Sequence, residues 1–72
     1  DLAIFYLKQA VAIAPTPVGY FNLAVACEKK GDLPAAVNYF KLYLENSQGE
    51  NRAAVQKAEA ELARLEKKLA SR

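Results

Sequence analysis

The 72-residue chain predicts an all-α fold of about four helices packed as antiparallel hairpins. Three observations carry that expectation. Apolar residues recur at three- and four-residue steps along most of the chain, the period of a helix buried on one side. Lys30-Gly31-Asp32 ends one such pattern and begins the next within a few positions. Alanine recurs on the apolar stripes, where it lets two helix backbones approach while larger neighbours interdigitate. A hydrophobic content of 53% argues against disorder.

Leu2 to Ala14 reads as the first helix, apolar apart from Lys8 and Gln9 and ended by Pro15. Leu2, Ile4, Phe5, Tyr6 and Leu7 are more apolar surface than one neighbouring hairpin can cover. Leu2, Phe5 and Tyr6 are therefore candidate contacts with upstream helices or with another copy of the chain. No basic segment precedes this stretch, which argues against a signal-peptide core. The chain has no Met and opens directly on a helical pattern, so it is expected to be a piece of something longer.

Thr16-Pro17 reads as an N-cap followed by proline at the first helical position. Gly19, in the first turn, costs a little helix propensity. On the helix running to Lys30, Tyr20, Leu23, Ala24 and Cys27 share a face. Lys29 and Lys30 suit the negative end of the helix, and Gly31 takes the left-handed turn after it. Asp32 can cap the next helix, with Pro34 in its first turn. There Leu33, Ala36, Val37, Phe40 and Leu44 form the buried face. Cys27, alone and on a packing face, reads as a small buried apolar residue rather than a reactive thiol.

The pattern fades over residues 45–49. Ser47 with Glu50 can form a capping box, and Asn51 is a rival cap. A long helix then runs to about Ala70, with Val55, Ala58, Leu62, Leu65 and Leu69 as a narrow packing stripe. Lys57 with Glu61, and Glu61 with Arg64, can pair on its solvated side.

Tyr20-x2-Leu23-Ala24-x2-Cys27 followed by Ala36-x3-Phe40 resembles the tetratricopeptide repeat, W-x2-L-G-x2-Y…A-x3-F…P. Tyr20, Ala24 and Cys27 replace Trp, Gly and Tyr, and Gln48 stands near the place of Pro. Ala3-x3-Leu7 repeats the second half of the motif, and Ala3 to Ala36 is 33 positions (36 − 3) against a period of roughly 34. The resemblance implies a right-handed superhelical fragment in one domain, 1–72. Residues 1–15 would be the second helix of a truncated repeat, 16–48 one full repeat, and 49–72 a capping helix with a polar outer face. The last helix has an alternative, pairing with a second chain as a short coiled coil.

Chemistry has little to work with. The chain lacks His, which excludes Ser-His-Asp and Cys-His arrangements within it and any histidine metal site. Gly19, Gly31 and Gly49 stand apart, so no phosphate loop forms. Glu59, Glu61 and Glu66 lie among cations on the expected solvent face. Lys67, Lys68 and Arg72 make only a thin basic tail, and the net charge is +2. No run reaches the ~18 apolar residues that span a bilayer. The expectation is a non-enzyme with no cofactor or metal, a protein or peptide partner, and no nucleic-acid or membrane partner. Enzyme activity would have to come from an upstream part.

The stripe opposite the packing face of the second helix is Val18, Phe21, Asn22, Val25, Glu28 and Lys29. In tetratricopeptide repeats the first helix of each pair lines a concave groove, so the resemblance implies a peptide-binding role for these six. Their apolar members have an alternative, packing on Leu62 and Leu65 or on the first helix. The main functional expectation is a protein–protein interaction module, a scaffold or adaptor gripping a peptide or helix. The alternative is self-assembly through exposed faces of the first and last helices.

Overall fold

A computed structural model describes residues 2–47 and 51–71. They form α1 (Leu2–Ile13), α2 (Pro17–Lys30), α3 (Leu33–Asn46) and α4 (Arg52–Ala70), with no strand among the described residues. The all-α expectation holds, and each helix boundary has a local chemical cause. Thr16 is extended (φ −103°, ψ 152°), and its hydroxyl oxygen accepts from the Gly19 N–H at 3.1 Å. Pro17 follows as the first helical residue, where a missing N–H costs nothing. At the other end Gly31 is left-handed, φ 94°, the one positive φ among the described residues.

The chain reverses at that glycine. The Gly31 N–H donates to the Glu28 carbonyl at 3.0 Å and the Asp32 N–H to that of Cys27 at 2.9 Å, the paired bonds of a Schellman ending. The Asp32 carboxylate then accepts from the Ala35 N–H at 3.3 Å and starts α3. With only Gly31 and Asp32 between them, α2 and α3 must run antiparallel.

Ser47 does not start α4. Its hydroxyl donates back to the Leu44 carbonyl of α3 at 3.2 Å, and the residue is buried. Asn51 caps instead, accepting from the Ala53 N–H at 2.8 Å. Glu50, the other half of the expected capping box, lies outside the described residues. So do Asp1, Gln48, Gly49 and Arg72, and with them the expected boundary between 48 and 49.

The helices pack in chain order, α1 on α2, α2 on α3 and α3 on α4, with the α2–α3 contact the most extensive. The result is a slab of 35 × 30 × 14 Å. Leu23, Ala24, Ala36, Phe40, Ala58 and Leu65 have no solvent exposure at all, and Cys27 has almost none. Burial of side chains the size of Phe40, Leu23 and Leu65 contributes about 1.5–3 kcal/mol each. On α3 the buried face is Ala36, Val37, Phe40 and Tyr43, whereas Leu44, expected there, is only half-buried. Neighbouring positions on a helix lie about 100° apart, and the aromatic ring of Phe21 draws in Tyr43 (centroids 5.3 Å apart). Val55, Leu62 and Leu69 flank Ala58 and Leu65 as the partly buried rim of the expected α4 stripe.

Gly19 turns out to be a contact residue. A Cβ there would sit 2.6 Å from Val11 Cγ1 of α1 and 3.2 Å from Thr16 Oγ1. Helix propensity favours alanine by up to ~1 kcal/mol, but overpacking of this kind costs about 1–3 kcal/mol. Gly19→Ala is therefore expected to lower stability in urea by about 1 kcal/mol, and to become neutral or stabilising in a Val11→Ala background. Equal effects in the two backgrounds would show that α1 does not rest on Gly19.

Candidate functional site

The α2 stripe singled out by sequence is drawn together along two adjacent depressions. The larger, about 620 Å³, is lined by Phe21, Asn22, Val25, Ala26, Lys29 and Lys30 of α2, with Ala3 of α1 and Lys57 of α4. The smaller, about 270 Å³, is lined by Val18, Phe21, Asn22 and Tyr43, with Asn51 and Ala54 at the start of α4. Phe21 and Asn22 belong to both, so the two form one surface trough along α2. Pro17 and the Thr16 cap fix the start of that helix, and the Gly31 turn fixes its end. Most of the trough's lining is therefore held by helical backbone.

Five of the six stripe residues, Val18, Phe21, Asn22, Val25 and Lys29, line this trough. Glu28 does not. Its carboxylate accepts from the Arg64 guanidinium of α4, which also reaches Glu61 one turn earlier at 2.5 Å. Glu61 thus pairs with Arg64 as expected, and its expected pairing with Lys57 is not made. A second link, Lys41 to Glu66 at 3.7 Å, joins α3 to α4 with both side chains half-exposed and contributes little.

Phe21 lines the trough and also packs on α3, a helix that neither alternative named. Its ring stands edge-on to Phe40 (5.7 Å, 85°) and to Tyr43 (5.3 Å, 69°), both on α3. It is half-buried, so one edge belongs to the core while the rest floors the trough. Val25 is likewise half-buried, whereas Asn22 and Lys29 are exposed and Val18 is 64% exposed. A helix in the middle of a stack has neighbours on several sides, so its far face is never wholly solvated. Asn22 supplies the uncommitted polar group, an amide that both donates and accepts.

On α1, Ile4 turns inward and Leu7 and Val11 are half-buried, while Leu2, Phe5, Tyr6 and Ile13 stay exposed. Phe5 and Tyr6 lie edge to face, 5.6 Å apart. Ile13, the most exposed at 86%, extends the patch expected from Leu2, Phe5 and Tyr6. A further depression of about 470 Å³ lies on α3, lined by Ala35, Asn38, Tyr39, Lys41, Leu42 and Glu45. Ala35, Tyr39 and Leu42 recur at helical spacing there, a second stripe hidden in the sequence by the stronger one beside it.

Burial pushes the Cys27 thiol upward, with the Asp32 carboxylate adding to the effect, so the thiol stays protonated at neutral pH. Tyr39, stacked 6.5 Å from Tyr20, is raised for the same first reason. Among the described residues no three His, Cys, Asp or Glu side chains converge as a metal site, and no helix is long and apolar enough to cross a membrane. Comparison of the chain with protein-family models, with curated proteins and with solved structures finds no match in any of the three.

Proposed function

We propose that the chain is a protein–protein interaction module that holds an extended peptide or a helix of its partner in the α2 trough. The observation that carries this reading is the trough itself. Apolar Val18, Phe21 and Val25 lie beside a free amide, Asn22, on a helix pinned at both ends. Apolar contacts would supply affinity, and the amide would set register against a peptide backbone. The resemblance of Tyr20, Leu23, Ala24, Cys27, Ala36 and Phe40 to the tetratricopeptide repeat supports the same role, since α2 would be the groove-lining helix of its pair. The long, polar-faced α4 fits a capping helix in that scheme.

The test must avoid Phe21, whose truncation also opens the Phe40–Tyr43 contact. Peptides selected from a random displayed library on the folded chain are expected to bind an Asn22→Ala/Val18→Asn variant roughly tenfold more weakly. Both positions are exposed, so helicity and melting temperature should stay close to those of the parent. Failure to enrich any peptide, or equal binding by the variant, would remove the trough as the site.

A second reading, self-association, is favoured by the exposed Leu2, Phe5, Tyr6 and Ile13 of α1. Sedimentation across a concentration series should show a dimer that Phe5→Ser/Tyr6→Ser abolishes. A chain that stays monomeric at about 1 mM, where even weak association would register, would contradict it.

A further inference from the structure

Among the described residues, the larger half of the trough carries positive charge without a paired carboxylate. Its floor is Phe21, Val25 and Ala26, and its rim holds Lys29, Lys30 and Lys57, all exposed. Among the described residues no carboxylate lies within ion-pairing distance of these three. The acidic residues that chain position puts nearest are committed elsewhere. Glu28, before Lys29, is held by Arg64. Asp32, after Lys30, caps α3 through the Ala35 N–H. Glu61, one turn beyond Lys57 on the same face, is also held by Arg64. The helix end accounts for cations at Lys29 and Lys30, but not for Lys57, which reaches the same rim from another helix. Lys8, Arg52, Lys67 and Lys68 line none of the three depressions described above.

We infer that this half of the trough takes an acidic segment of the partner peptide. Its carboxylates lie over the three ammonium groups, and an adjoining apolar side chain rests on Phe21 and Val25. The inference rests on the peptide-binding reading and adds the chemistry of the partner. Exposed lysines act through long-range, salt-screened attraction, so they speed encounter and choose among partners more than they hold them. The other half, around Val18, Tyr43 and Ala54, offers no charge and leaves direction to the peptide's apolar residues.

The test is a random library of peptides of about ten residues, enough when extended to cross the 35 Å long dimension. Selection on the folded chain at low salt should enrich Asp and Glu roughly twofold or more over the input. Binding of the selected peptides should fall roughly tenfold between about 0.05 and 0.3 M salt. It should fall by a similar factor in a Lys29→Gln/Lys30→Gln/Lys57→Gln variant, whose melting is unchanged because all three side chains are exposed. Selection of neutral apolar peptides that still need Asn22 would overturn the acidic partner and leave the trough reading intact. Absence of any Asn22-dependent peptide would overturn both. Acidic peptides indifferent to the triple variant would also overturn the inference. So would a single-stranded oligonucleotide that displaces them from the same lysines.

Discussion

The close approach of α2 and α3 is the constraint on which everything else rests. Ala24 and Ala36 are wholly buried within it, and their small size lets the two backbones come near enough to enclose Leu23, Cys27 and Phe40. The turn at Gly31 makes that approach possible, because only a left-handed residue satisfies the end of α2 and still reverses the chain in two positions. A chain of this size buries about 60% of its unfolded surface, so little stability is spare. One well-packed hairpin must therefore support both outer helices.

Each outer helix is attached by a different device. α1 rests on α2 where Gly19 leaves room for Val11, a contact set by shape. α4 lays Ala58 and Leu65 into the core, and at its exposed edge Arg64 pairs with both Glu28 and Glu61. Stacking in chain order yields a slab of 35 × 30 × 14 Å with two broad faces. Glu28 faces Arg64, whereas Lys29 and Lys30, the next two positions, line the trough, so one helix end presents opposite charges to different neighbours.

Much of this was legible in sequence where the determinant is local. Thr16, Gly31 and Asp32 act on backbone within three to five positions, and each does in the structure what its residue type suggests. Stripe residues such as Leu23, Ala24, Cys27, Ala36 and Phe40 followed from period alone. Distant partners were not legible. Glu28 was placed with the trough because its helix position is right, but Arg64, 36 positions away, turns it aside. Tyr43 was passed over for Leu44 because period cannot say which of two adjacent residues an aromatic ring will recruit. Gly19 read only as a propensity cost, since its value depends on a valine in another helix. Residue type alone does not separate Ser47 from Asn51 as a cap, because the bond of Ser47 back to Leu44 depends on how α3 ends.

The candidate site inherits the same division. Val18, Phe21, Asn22, Val25 and Lys29 could be named from their stripe on α2, but Lys57 and Tyr43 join the trough only through tertiary packing. The central claim, that small side chains in the α2–α3 contact set the whole stack, meets its most direct test at Ala24. Urea unfolding of Ala24→Leu adds apolar surface and so would ordinarily favour folding. The close-packed hairpin predicts instead a loss of about 1–3 kcal/mol, or failure to fold. Stability equal to or above that of the parent would show that the two helices do not depend on a small residue there.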